Sequence, residues 1–533
     1  MVKITGGNVT AKSIGTASGL TPGNWIDAGA GIGGGTGCSG GVQGSSTAIV
    51  NGGDATITIS GNAVIMTGSI GGGKSGHKTR GNIGTADITV SGGDIQAQFV
   101  MAGSVLEDSD NFKSPTFTMT GGTIRNSKTT DPDFYHIVDK GGAVYMEDGE
   151  FQMQAGTISD CYAEYGGAVY IKKGAKSDTP PSFKMTGGTI SKCSAAHDGG
   201  AVYIEDGTVE LSGAGAAIEY CSAGLAGDDT GRGGAVCVRK TGSYSPSFTM
   251  SDGKIMNNNA VYNGGGLHLE GGEVVLSGGQ VSRNIVTNGN GGGISINSGS
   301  FSMPEGGSAT VNANSAHAHD DSCGKGGGVF VTSTTEAVKV DLLSGSITGN
   351  TSARVGGGIG IDLSGASVEA IVTVGYAADP VPTVPDISGN LTLREGGGLY
   401  ANGPLASITI NSGKIKENST VGYVDNPDVV NVTGKVTLNG GDVKSNNVTY
   451  DGNEWTVDSG NASVVQKIVT DTNNDLIYPT PDFRNGYKCI GWNTRSDGLG
   501  EYYVKYNGTT AEILTKTVKR STDLTLYAIW EVN

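Results

Sequence analysis

The sequence is short of almost everything that helices and conventional globular cores are made from. Charged residues are only 16% of the chain and aromatics 6%, and the Leu, Ala, Glu and Lys density that helices need is missing. Helical architectures are excluded on that ground. Proline is scarce, at 14 residues, and the 93 glycines do not fall in Gly-X-Y register, so a collagen-like triple helix is excluded too. No stretch approaches the roughly 18 consecutive apolar residues of a membrane-spanning helix, so no membrane insertion is expected of this chain. Positive charge is also in deficit. Lys and Arg total 35 against 51 Asp and Glu, a net charge of −16, which repels a nucleic-acid partner. The seven cysteines are odd in number and scattered, unlike a disulfide framework. There is no P-loop, dinucleotide fingerprint, Gly-x-Ser-x-Gly elbow or His-Glu-x-x-His. Met1-Val2-Lys3 leads straight into repeat sequence and no anchoring signal follows at the far end. The chain therefore reads as an excised or processed piece.

What is present is repetition. Gly-Gly-(Ala/Gly)-aliphatic begins at Gly141, Gly166, Gly199, Gly233, Gly264, Gly291, Gly326, Gly356 and Gly396. The uneven spacing implies one constant unit with loops of variable length inserted. Within a unit apolar residues alternate with period two, the strand signal. Val144/Met146, Val169/Ile171, Val202/Ile204 and Leu267/Leu269 form one inward pair, and Phe151/Met153, Phe183/Met185, Phe248/Met250 and Phe301/Met303 a second. A third strand carries the aliphatic residue of Ile158-Ser-Asp-Cys161, Ile190-Ser-Lys-Cys193 and Ile218-Glu-Tyr-Cys221. Later copies replace the Cys by Asn284, Asn350 and Asn418, so a buried Cys ladder running on into an Asn ladder is expected.

Three short strands per coil with glycine turns predict an all-β fold, a right-handed parallel β-helix over residues 1–455. Residues 1–100 use leaner Gly-rich coils, such as Ile57-Thr-Ile59-Ser-Gly and Ile88-Thr-Val90-Ser-Gly, and 101–455 the Gly-Gly-Ala-Val-Tyr type.

Two resemblances follow from these residues. Gly-Gly-Ala-Val paired with Ile-x-x-Asn resembles the repeats of chlamydial polymorphic membrane proteins, which implies a surface β-helix acting as an adhesin. In residues 464–533, Tyr478-Pro479, Gly486-Tyr487, Gly491-Trp492-Asn493-Thr494, Asp497-Gly498 and Leu524-Thr-Leu526-Tyr527-Ala528-Ile-Trp530 resemble the Listeria-Bacteroides repeat, the B-repeat of internalins. That likeness implies a small β-grasp-like module, a cell-surface location in Gram-positive or gut bacteria, and spacing or weak binding. Trp492, Tyr527 and Trp530 are the large residues such a module needs as a core.

Candidate sites lie on the outward face. Between the inward pairs of the first strand, the outward row reads Tyr145, Tyr170, Tyr203, Cys237, His268, Ser295, Phe330, Gly360, Tyr400. Aromatic faces on a rigid ribbon could hold sugar rings or a protein partner. They could equally stack on one another and shield the sheet. Beside them Glu147, Lys172, Glu205, Arg239 and Glu270 alternate in sign, which supports neighbouring strands and penalises a slipped register. Glu147 and Glu205, two coils and about 9 to 10 Å apart, also invite comparison with inverting glycosidases, at ~6.5–9.5 Å. Lys172 between them would keep both ionised, when one must be a protonated acid.

His317, His319 and Asp320 are the most concentrated metal-like group, and Glu107-Asp108-Ser-Asp110 and Asp228-Asp229 are acidic loops that could take Ca²⁺. No cofactor is otherwise expected. The expectation is a monomeric, secreted, non-catalytic adhesin or stalk, its partners host or microbial glycans or glycoproteins. A structural spacer and a polysaccharide-active enzyme are the alternatives.

Overall fold

Brief alternating segments separated by Gly-Gly turns leave no room for hairpins, so each strand pairs with its equivalent one repeat later. The computed structural model describes residues 2–6, 8–11, 32–33, 55–71, 86–101, 114–126, 139–174, 179–224, 231–320, 322–333, 336–377, 384–421, 428–457, 461–470, 473–480, 484, 486–507, 510–520 and 522–532. Among the described residues every regular element is a strand. One coil runs through Val144–Met146, Glu150–Ser159 and Tyr162–Ala163. The next coil repeats it in parallel and in register: Val169, Tyr170 and Ile171 lie beside Val144, Tyr145 and Met146, Phe183 beside Phe151, and Ile190 beside Ile158. The pattern continues to Asp442–Val443. In the lean N-terminal coils, Ala55–Ile59 pairs with Val2–Ile4 on one side and residues 86–90 on the other. The fold is a parallel β-helix with a single continuous core from Ile57 to Val443.

From Tyr162 to Thr420 the coils carry a further short strand that the sequence does not announce. Two-residue strands from Tyr162–Ala163 to Ser419–Thr420 form a separate nine-stranded sheet. Two residues cannot display an alternation, and most of their inward members are small (Ala163, Ala195, Ala223, Ala260, Ala316), so no periodic signal marks them.

The Gly-Gly pairs are dictated by geometry. Gly141, the first of a pair, sits at φ 62°, the left-handed region. At the second, Gly167, a Cβ would lie 2.2 Å from the carbonyl oxygen of Gly200 in the next coil. Only glycine lets the turns approach to the coil spacing.

Stacking of like on like builds the interior. Phe117, Phe151 and Phe183 form a pile with centroids 4.5 and 4.6 Å apart, and Phe99 caps it at 4.7 Å from Phe117. The polar row is built in the same way. Cys161, Cys193 and Cys221 are buried, and the row continues through Asn258, Asn284, Asn314, Asn350, Asn390 and Asn418. Each Asn Nδ2 donates to the next Asn Oδ1 at 3.0 Å, which also accepts the backbone N–H of that Asn. The second Nδ2 proton reaches a main-chain carbonyl, as from Asn314 to Val281 at 3.0 Å. Every donor and acceptor along the row is used, the condition under which a buried polar network stabilises a fold. The row ends where Asn418 donates to Asp428 Oδ1. The residue before each rung is left-handed, including the non-glycines Asp160, Lys192, Tyr220, Asn257, Arg283, Ala313 and Glu417.

The solenoid gives way to a different sheet at 443–445, earlier than the 455 that the repeat pattern indicates. Ser445–Asp451 pairs antiparallel with Ser463–Val469 and parallel with residues 524–527. Tyr487–Asn493, Tyr502–Asn507 and Thr510–Ile513 complete a six-stranded sheet. The segment reads as one more strand because its alternation (Val448, Tyr450) matches that of the coils; its partner strands, 463–469 and 524–527, are what differ. Trp492 and Tyr450 meet edge to face at 5.3 Å in the core of this sheet, while Tyr527 and Trp530 are only half-buried. Val469 joins the solenoid core, Asn431 Nδ2 donates to the Asn473 carbonyl at 2.8 Å, and Lys435 pairs with Asp475 at 3.0 Å. The C-terminal sheet thus covers the last coil, closing an end that a solenoid must otherwise leave open.

Candidate functional site

The outward row of the first strand is where the sequence places an aromatic platform. Its register is as expected: Tyr145, Tyr170, Tyr203, Cys237, His268, Ser295, Phe330, Gly360 and Tyr400 occupy equivalent positions coil by coil. Its exposure is not. Tyr170 and His268 are 0% exposed, Tyr203 3% and Phe330 5%; only Tyr145 and Tyr400 are partly open. Open ring faces are therefore corrected to a second, external core. Tyr145, Tyr170 and Tyr203 stack on one another at 5.7 and 5.4 Å. The turn before each strand reaches over the tyrosine of the next coil, with Tyr165 edge-on to Tyr203 at 5.4 Å and Lys140 over Tyr170 at 4.7 Å. Burial pushes the hydroxyls of all three tyrosines far above their usual range, and that of Tyr400 to about 12. Alternation alone reports which side of a strand a residue faces, not whether a turn returns to cover that side.

His268 is the anomaly in this row. Neither ring nitrogen has a hydrogen-bond partner among the described residues, and burial, reinforced by Arg232 and Arg239, lowers its pKa to about 3. It is a neutral imidazole held between Cys237 and Ser295, with Glu270 Oε2 at 4.0 Å, beyond hydrogen-bond range.

The carboxylates beside the row are held by the ladder. Lys172 pairs with Glu205 Oε2 at 3.0 Å, Arg239 with Glu270 at 3.3 Å, and the Tyr145 hydroxyl donates to Glu147. The two residues singled out as a possible acid and base, Glu147 and Glu205, are thus engaged by a tyrosine and a lysine.

In the loop, His317, His319 and Asp320 are exposed. The Asp320 carboxylate accepts from the Ser322 N–H and hydroxyl at 2.8 and 2.6 Å, and these bonds hold it below the usual carboxylate range. No group of three potential metal ligands forms among the described residues. The acidic loops at 107–110 and 228–229, and Asp321, lie outside the described residues.

The C-terminal sheet holds a cluster that the sequence reading did not assemble. Arg484 lies 5.0 Å from the Trp455 ring, 4.3 Å from Tyr487 and 5.7 Å from Trp530. Trp455 and Tyr487 are 37% and 36% exposed, and the Trp530 indole N–H donates to the Gly452 carbonyl at 2.9 Å. Next to Trp455 an open, solvent-facing cavity of ≈ 380 Å³ is lined by Asp451, Glu454, Trp455, Thr456, Ala462 and Ser463. Its lining comes from residues 451–456 and 462–463, and there Asn453 and Glu454 are both left-handed, at φ 51° and 69°. Two successive non-glycine residues in that region are costly and persist only where neighbours fix them. Here Asp451 Oδ1 accepts the Asn453 N–H at 2.7 Å and Asn453 Nδ2 donates to the Ser496 carbonyl at 2.8 Å. Tryptophan and arginine far apart in sequence gave no signal; the pair of strained residues is visible only in the backbone.

Comparison with known proteins adds little to this geometry. No family model matches the chain, and no solved structure does. A stretch of 86 residues, 16% of the chain, is 35% identical to part of a protein of Evansella cellulosilytica described as a Gly-rich membrane protein, and the match spans 9% of that protein's length.

Proposed function

We propose that this chain is a non-catalytic adhesive stalk of a bacterial surface, in which the β-helix supplies length and rigidity and the C-terminal sheet makes contact. The observation that carries this reading is the contrast in exposure. Along the solenoid Tyr170, Tyr203 and Phe330 of the aromatic row are consumed in packing and exposed tyrosines such as Tyr220 and Tyr376 are scattered, while the terminal sheet gathers Trp455 and Tyr487, both open, beside Arg484. Trp, Tyr and Arg are the residues that dominate binding energy at recognition surfaces. A rod whose coils are joined by a fully satisfied internal ladder suits display at a distance. The partners that fit are glycans or glycoproteins of a host or of other microbes, outside the cell.

The test is an array of glycans and glycoproteins probed with the full chain, with and without Ca²⁺, alongside an assay of product release from polysaccharides. Binding without product release is the expected result. Product release that Glu205→Gln abolishes would replace this reading by an enzyme, and silence in both assays would reduce the chain to a spacer.

A further inference from the structure

The geometry points to the cavity beside Trp455 as a site for a neutral pyranose sugar, with the indole as its stacking surface and Asp451 and Glu454 as its hydroxyl acceptors. This inference rests on the adhesive reading above and gives it a place and a ligand chemistry. At ≈ 380 Å³ the cavity falls within the small-ligand range of about 300–1,000 Å³, room for one or two sugar rings. One face of a pyranose is a patch of C–H bonds carrying slight positive charge, which meets the negative face of an aromatic ring. Its rim is hydroxyl groups, which donate well to carboxylates because the bond is charge-assisted. Thr456 and Ser463 add hydroxyls that can donate or accept. Indole face, paired carboxylates and hydroxyls together are what a polyol ring requires.

Charge selects against other ligands. The Arg484 guanidinium already lies over the Trp455 ring at 5.0 Å, so a cation there meets like charge, although a bare Trp with two acids would attract one; the sugar takes the ring face that Arg484 leaves. Asp451 and Glu454 in turn oppose phosphate, sulfate or an acidic sugar. A neutral ligand escapes both penalties. Asn453 is held in left-handed geometry by Asp451 and Ser496, which leaves less ordering at that residue for the ligand to impose.

The experiment is calorimetric titration of the full chain with lactose, cellobiose, maltose and N,N′-diacetylchitobiose, with glucuronic acid and choline as charged controls. At least one neutral disaccharide should bind, and Trp455→Ala and Glu454→Gly should each weaken it by about tenfold or more, a hot-spot effect. Glu454→Gly guards against a folding artefact. It removes the carboxylate while relieving the left-handed backbone at φ 69°, so its melting temperature should be equal or higher. Unchanged affinity in both variants, or preference for a charged control, overturns the site. If none of the four sugars binds while the chain still binds the glycan and glycoprotein array, the site fails and the adhesive reading survives; failure of both removes both.

Discussion

The solenoid and the C-terminal sheet use the same kinds of residue to opposite ends. In the β-helix each side chain has its own equivalent as neighbour above and below, so aromatics become piles, such as Phe117, Phe151 and Phe183, and amides become a ladder. Stacking of this sort consumes the groups it orders. In the C-terminal sheet the neighbours differ: Trp492 meets Tyr450, and Trp455, Tyr487 and Trp530 gather around a single arginine. Exposed large apolar residues are frequent there, among them Val465, Ile477, Leu499 and Ile513. Repetition makes a rod, and its absence makes a distinct surface.

That comparison can be broken most forcefully at the ladder. Asn314→Leu would strip Asn284 of the acceptor for both its N–H and its Nδ2. Burying unpaired donors costs ≈ 1–3 kcal/mol each, so a loss of about 3 kcal/mol is expected, read as a lower urea midpoint. A change confined to a few tenths of a kcal/mol would show that the row is filler and that the solenoid does not depend on like-on-like pairing.

A smaller effect of opposite sign is expected at His268. Replacing this unpartnered imidazole by Leu should raise stability, and the gain should depend on pH. The folded-state pKa of about 3 lies below the unfolded value near 6.5. The unfolded chain therefore binds the proton first, and wild type loses stability as pH falls from about 6.5 towards 3, then levels off. The difference between His268→Leu and wild type should widen across that window in thermal melts at a series of pH values. A constant difference would mean that the imidazole is solvated.

The smallest effect sharpens the account of the turns. Ala313 is left-handed at φ 55° and exposed, where two other coils have Gly349 and Gly389. Ala313→Gly should stabilise by about 0.5–1 kcal/mol, the left-handed penalty less the entropy of glycine. A loss of stability would show that the rung, not the backbone conformation, sets the turn.

Much of the solenoid was legible because its periodicity is written many times over. Val144/Met146 and Phe151/Met153 point inward, the Gly-Gly pairs make the turns, and the Cys row does pass into an Asn row. The two-residue strands were invisible, being too short to alternate. The candidate site was less legible still. Trp530 read as core and is half-buried, with Arg484 above it, and nothing local in the sequence joins positions 455, 484, 487 and 530.

The sequence by itself determined the architecture, because an inward residue every second position and a glycine pair every coil admit few chains other than a stacked one. It also determined which residues form each row, since register follows from the repeat. Only the tertiary structure decided what each row is worth. Whether an outward tyrosine is a platform or a core depends on whether a turn folds over it, as the turn carrying Tyr165, one coil earlier, does over Tyr203. Whether a tryptophan can meet a ligand depends on contacts between segments with no fixed spacing. Periodicity encodes direction, and burial is a property of what arrives from elsewhere in the chain.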